Sequence, residues 1–309
     1  MSASLNVIDD TSLRKVFVNT SIAKAAASRL VDIHNDNLLT GTNQGFLIMG
    51  PSGVGKSALV KKYINLVNTE RAIEMQRLPI LYLDMPSGPT KKNLGSALLK
   101  ALNDPYANNN SESAEAKFSR VVTLLENLHV ELVILDEAQH LVDYKKSDMF
   151  EAGDWIKSLM NTSKVSVVLI GMTRLEGLKR ANSQFRRRFS ASYTLVPFKP
   201  DGEFWPEFAG VIKALQKMMT VDSVSLVTDE MIQRLYFASF GILDYLVKVL
   251  ERAVRLVRNG QFDGVHLAAL DTAFKDEVWQ LAPKNRNPFN AEFDFRPLIG
   301  LGEPYEKIE

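Results

Sequence analysis

The chain has no cysteine, which excludes disulfides and thiolate metal sites and suits a reducing compartment. It also lacks a charge of one dominant sign. Lys and Arg total 37 against 36 Asp and Glu, a formal net charge of +1, so any contact with a polyanion must come from local patches. Only four histidines are present (His34, His129, His140 and His266), and none has metal-ligand spacing to another. No apolar run is long enough to span a bilayer, and Met1–Asp10 lacks the basic-then-apolar form of a signal peptide, so no membrane partner is expected. There is no internal repeat. What is present is an ordinary globular composition, 46% hydrophobic and 24% charged over 309 residues, enough for one large or two modest cores.

Short apolar runs alternate with helical patterns through the first two thirds of the chain. Gly45–Met49, Pro79–Met85, Val130–Leu135, Val165–Ile170 and Tyr193–Phe198 read as strands. Ser21–Asp36, Ala58–Val67, Thr90–Leu102 (with Thr90 as N-cap) and Ala114–Leu128 read as helices. Strands that are apolar throughout, separated by helices, predict an α/β fold with a central parallel sheet covered on both faces. After Pro200 only helical spacing remains, over Glu203–Met219, Thr228–Ser239, Ile242–Arg258 and Val265–Trp279. The expected organisation is therefore an N-terminal arm (1–22), a nucleotide-binding α/β domain (23–200), a small all-α lid (201–282) and an extended tail (283–309).

Gly50-Pro51-Ser52-Gly53-Val54-Gly55-Lys56-Ser57 matches G-x-x-x-x-G-K-[ST] at every fixed position, between a strand and a helix. The glycines let backbone N–H groups converge on phosphate oxygens, and the following helix, entered through Ala58, points its positive end at them. Lys56 is expected to reach the β and γ phosphates of ATP, and the Ser57 hydroxyl to ligate Mg2+. Val133-Ile134-Leu135-Asp136-Glu137 supplies the complement, an apolar strand that delivers two adjacent carboxylates at its carboxyl end. Asp136 is expected to hold Mg2+, and Glu137 to orient and polarise the attacking water.

Two further features have open readings. The fourth strand ends in Gly171-Met172-Thr173-Arg174, where Thr173 either hydrogen-bonds the water or γ phosphate or simply begins a turn. Arg186, Arg187 and Arg188 either include a finger that enters a neighbouring subunit's site or form a solvated basic run.

With these motifs in place the chain resembles the TniB/TnsC family of AAA+ transposition regulators. The resemblance runs from Arg14 to Asn285. It rests on the phosphate loop, Leu135-Asp-Glu-Ala-Gln-His140-Leu141, Leu169-Ile-Gly-Met-Thr-Arg-Leu175, Arg187-Arg-Phe189 before a strand, and the Met-Pro-x-x-Pro-Thr stretch within Tyr82–Leu98. It implies an AAA+ P-loop fold and a bacterial cytoplasmic ATPase that regulates DNA transposition, in some systems with CRISPR-guided targeting. Such a protein uses ATP to assemble with itself on double-stranded DNA, as a hexameric or heptameric ring or a helical filament. Its implied partners are a TniQ-like target-selection protein and a TnsB-like transposase. The implied DNA contacts are Thr90, Lys91, Lys92, Lys100, Lys117 and Arg120, all to phosphate and without sequence preference.

One position departs from the AAA+ pattern. Lids of this class commonly carry an arginine three residues after a helix-initiating glycine, whereas Gly241-Ile-Leu-Asp244 places a carboxylate there. The aromatics of the tail suit either a partner hook or a strap folded onto its own domain. The rival readings are a P-loop kinase, which the Asp-Glu pair disfavours; a superfamily-two helicase, whose Asp-Glu-Ala-x-His string Gln139 interrupts; another DNA-associated initiator or loader ATPase; and a scaffold that binds ATP with little hydrolysis.

Overall fold

A computed structural model describes residues 13–15, 17–71, 77–143, 146–181, 183–200 and 204–307. Five strands form one sheet: β1 (Gly45–Met49), β2 (Ile80–Asp84), β3 (Leu132–Asp136), β4 (Ser166–Gly171) and β5 (Ala191–Thr194). Their order is β2-β3-β4-β1-β5, and every pairing is parallel. β1, β3 and β4 are buried at every position, which is why each reads as an unbroken apolar run.

Helices α1 (Ser21–Thr40), α2 (Lys56–Arg71), α3 (Lys91–Ala101), α4 (Ala114–Asn127), α5 (Lys146–Ser163), α6 (Gly177–Ala181) and α7 (Ser183–Arg188) complete this part. One sheet face, carrying Leu47, Leu83, Val133 and Leu169, packs in a single core with Leu94 and Leu98 of α3, Val121 and Leu125 of α4, and Trp155, Ile156 and Leu159 of α5. On α1, buried His34 bonds Tyr63 of α2 and Glu131 at the start of β3, at 2.7 and 2.8 Å. Thr90 caps α3 as its spacing predicts, its hydroxyl accepting from Asn93 N–H at 3.2 Å.

Two elements differ from expectation. Helix α5 was not anticipated, although Ala152, Trp155, Ile156, Leu159 and Met160 are buried at helical spacing. The fifth strand is shorter and earlier than Tyr193–Phe198. It pairs with β1 alone and alternates in exposure, so burial gives it no continuous apolar signature. Pro197 has no N–H to extend the ladder, and Phe198 belongs to a different core.

The chain divides into two compact units, one spanning Ile22–Leu195, the other joining the residues before Ile22 to those from Val196 onward. The second unit holds α8 (Phe204–Met218), α9 (Asp229–Ser239), α10 (Leu243–Arg258) and α11 (Leu267–Glu277). Residues 1–12 of the expected arm lie outside the described residues. Leu13 is buried in the helical core, and Arg14 bonds Glu251 and Asp244 of α10. Asp244, where an arginine was looked for, is thus paired with Arg14 at 3.3 Å and Lys248 at 2.7 Å.

The tail is irregular in backbone, but it is part of this unit. Phe289, Phe293, Leu298 and Tyr305 join its core, as the strap alternative has it, while Phe295 is 39% exposed. Arg286, 6% exposed, binds it together by bonding Asp294, Glu303 and the Pro297 carbonyl at 2.5, 2.7 and 2.9 Å. Burial pushes the Glu303 carboxyl up. The bond from Arg286, the Gly300 N–H, and the charges of Arg286 and Arg296 outweigh it and hold the carboxyl below its ordinary value. Its stabilising contribution is therefore complete above the unfolded value, about 4.3, and disappears as pH falls through the depressed one. Arg286→Met is expected to lower stability by about 3 kcal/mol at neutral pH. Thermal melts of both proteins across the acid range check this, because the gap between them should close as Glu303 protonates.

Candidate functional site

The register of the sheet brings three strand ends to one edge. Met49 of β1 lies opposite Gly171 of β4, and Leu135 of β3 lies opposite Leu169 of β4. The loop after β1 and the acids ending β3 therefore flank the tip of β4, at the carboxyl edge where parallel sheets bind ligands.

The loop has the backbone its glycines permit. Gly50, Gly53 and Gly55 have φ of 150, 81 and 99°. A Cβ at Gly50 would stand 2.2 Å from the Leu195 carbonyl, so the chain there passes too close to β5's extension for any side chain. α2 starts at Lys56 with no acidic residue in its first turn, so its N-terminal field is not neutralised from within. Pro51 and Val54 are buried, Gly53, Gly55 and Ser57 half-buried, and Ser52 and Ala58 exposed. The Lys56 ammonium, 8% exposed, donates to the Gly50 and Pro51 carbonyls at 2.8 and 2.7 Å. Burial pulls its pKa down, and the charges of Asp136 and Glu137 act against that pull. This coupling joins the loop to the acid pair.

At the end of β3, Asp136 is 3% exposed. One carboxylate oxygen accepts from the Tyr82 hydroxyl at 2.7 Å, the other from Glu137 N–H at 2.8 Å. Burial, then the bond to Asp136, pushes the Tyr82 hydroxyl far above its usual range, so it stays a donor. Glu137 is exposed and held in left-handed backbone at φ 54°, a conformation that costs a non-glycine residue about 1 kcal/mol or more. The Gln139 side-chain amide donates to the Glu137 carboxylate, and its carbonyl accepts from Met172 N–H at 3.2 Å. Thr173 is half-buried and opens a 3-10 turn immediately past β4.

These residues fit Mg-ATP. Three positive-φ glycines and a helix N-terminus make an anion cradle, a buried ammonium adds charge, and a hydroxyl and a carboxylate supply hard oxygen donors for magnesium.

Elsewhere the sequence candidates separate. Phe185 stacks on Phe189 at 4.2 Å and turns Arg186 and Arg187 outward, both exposed. Arg188 is tied within its own chain to Asn43 and Asn161, at 3.3 and 2.5 Å. Among the expected DNA contacts, Lys100 is exposed, Lys91 lies 3.7 Å from Glu151, and Lys92 donates to the Asn110 carbonyl at 2.6 Å. Lys117 requires correction. It is 0% exposed, and its ammonium donates to the Ala107 carbonyl at 2.8 Å, pinning the loop between α3 and α4. No phosphate reaches such a group without unfolding that loop. Arg120 is bound beside it by Asp104 and Glu112, at 2.6 and 2.7 Å. The hydroxyl oxygen of Thr90 accepts the cap bond from Asn93 N–H, which leaves its own O–H as a donor. Tyr82 and Gln139 were missed as site residues. Gln139 enters the sequence reading as part of the family string and as an interruption of a helicase string, not as a site residue, although its place two residues past Glu137 is a usable signal.

Similar folds occur among solved structures. ORC2 from Aeropyrum pernix matches with TM-score 0.67 and 16% identity, over 89% of this chain and 72% of that one. ORC1 from the same organism, determined in complex with DNA, matches with TM-score 0.65 and 15% identity, over 85% of this chain and 66% of that one. The Thermotoga maritima RuvB Holliday junction branch migration motor matches at 0.53 with 14% identity, over 89% and 73%. At these identities the likeness establishes the fold, an AAA+ P-loop sheet followed by a helical region. None of the curated proteins compared with the sequence matches it. The sequence profile of the family described as bacterial TniB protein matches residues 11–199, well over half of the chain. The phosphate loop, the acid pair and the β4 tip all lie inside that span, and the chain belongs to the TniB family.

Proposed function

We propose that this protein is an ATP-hydrolysing regulator of DNA transposition. It assembles with Mg-ATP on double-stranded DNA and connects a TniQ-like target-selection protein to a transposase. The observation that carries the reading is the sheet register, which sets the phosphate loop after β1 and the acids Asp136 and Glu137 ending β3 on either side of the β4 tip. Main-chain amides of Gly50–Ser57 would hold the phosphates, with Lys56 on the β and γ groups. Ser57 and Asp136 would hold magnesium, which when bound neutralises charge on the phosphate oxygens. Tyr82 keeps Asp136 oriented toward that task. Glu137 would orient a water and accept its proton, and Thr173 would contact the water or γ phosphate. Arg186 or Arg187 would serve a neighbouring subunit's site, since Arg188 is already engaged at home. The helical unit would act as the lid, with Asp244 committed to Arg14 and Lys248 and no lid arginine at that position.

Membership of the TniB family supports the transposition role, and the fold shared with ORC1, solved with DNA, supports the DNA role. With Lys117 buried and Arg120 paired, the charged contacts left to the channel reading are Lys91, Lys92 and Lys100, beside the neutral Thr90 hydroxyl. Three phosphate contacts per protomer give a log–log salt slope of about −2.7, or about 40-fold weaker binding between about 50 and 200 mM salt. Anisotropy titrations with duplexes of unrelated sequence in Mg-ATP test this. A salt-insensitive, sequence-selective footprint would contradict it.

A further inference from the structure

We infer that Gln139 is a positioning residue for hydrolysis, tying the Glu137 carboxylate to the tip of β4. The inference rests on the proposed role of Glu137 as the group that orients water. The orientation of the Gln139 amide is fixed by its neighbours. Met172 N–H can only donate, so the carbonyl end must face it, and an ionised Glu137 can only accept, so the NH2 end must face the carboxylate. Gln139 is 5% exposed, so water does not compete freely for either bond. Gly171 keeps the approach open, because a Cβ there would stand 2.7 Å from the Gln139 carbonyl oxygen and 3.0 Å from its backbone nitrogen. Glu137 itself is exposed and sits in left-handed backbone. One amide therefore sets where that carboxylate lies relative to the strand that continues into Thr173. This differs from substrate binding, since Gln139 acts only through Glu137.

Two substitutions separate the halves of the clamp. Gln139→Glu keeps an acceptor for Met172 N–H but replaces the donor with a like charge against Glu137. Gln139→Met keeps the length and removes both bonds. Loss of an orienting partner of this kind commonly costs about 10- to 100-fold, and both variants are expected to lose kcat by that factor while their Kd for Mg-ATP stays within about 3-fold of wild type. In a Glu137→Gln background, Gln139→Met should lower the single-turnover rate by less than about 2-fold, because the residue it acts through is already disabled.

Wild-type kcat in both variants overturns the inference. So does parallel loss of kcat and nucleotide affinity, or full additivity with Glu137→Gln, each of which marks a merely structural side chain. If Gln139→Met does not fold, Gln139→Glu alone decides on the same criteria. Wild type and Glu137→Gln run in parallel keep the two levels apart. A wild-type protein that turns over no ATP refutes the hydrolytic reading itself, whereas active wild type with unchanged Gln139 variants refutes only the clamp.

Discussion

Glu137→Gln is expected to keep Mg-ATP bound and to cut steady-state phosphate release by about 100- to 1,000-fold, within the range that a positioned general base contributes. The substitution is unusually clean here. A glutamine oxygen at 137 still accepts from the Gln139 amide, and Glu137 N–H still donates to Asp136, so the local geometry has no reason to change. What is lost is the charge that polarises water. The proposed binding groups are elsewhere, in the loop amides, Lys56 and Ser57. The variant should therefore trap the ATP-bound state and prolong assembly on DNA. Phosphate release with and without duplex DNA, measured beside nucleotide affinity, checks both halves. Unchanged turnover would remove Glu137 from the chemistry, and absent turnover in the wild type would favour the scaffold reading.

Lys56→Ala has the opposite signature. Lys56 is a buried ammonium already making charge-assisted bonds to two loop carbonyls, and burial holds its pKa below the ordinary value although the charges of Asp136 and Glu137 oppose that shift. Charge-assisted bonds contribute about 1.5–3 kcal/mol each, so losing two to the phosphates weakens Mg-ATP binding by about 3 kcal/mol or more, roughly 100-fold or greater. Nucleotide-dependent assembly on DNA should disappear with it. Electron microscopy with duplex DNA and a slowly hydrolysed ATP analogue reads this directly, and rings or filaments formed by Lys56→Ala would count heavily against the scheme.

Legibility in the sequence followed the physics of each element. β1, β3 and β4 are buried on both faces, so continuous apolar runs revealed them, and the glycines of the phosphate loop are demanded by backbone that other residues rarely adopt. β5 was displaced by several residues because an edge strand of alternating exposure beside Pro197 leaves no such run. Helix α5 is legible, since Ala152, Trp155, Ile156, Leu159 and Met160 fall at helical spacing. Lys117 shows the limit of reading charge as surface. A lysine between apolar neighbours on a helix signals solvent by type alone, yet the Ala107 carbonyl and Glu112 give it a buried berth. The tail stayed open between hook and strap for a related reason. Its aromatics are too widely spaced for regular structure, but Arg286 folds the segment back and lets them fill the helical core. Tyr82 became visible only when strand register placed β2 against β3, and the bond from Met172 to Gln139 only when it placed β4 on the other side of β3. Contacts across strands are not encoded at any fixed spacing along the chain.

Titration calorimetry of the intact protein with ATP and magnesium tests the central claim most directly. A single saturable site per chain, lost in Lys56→Ala and retained in Glu137→Gln, is the predicted result. A wild-type protein that takes up no heat and no nucleotide would contradict the account at its root.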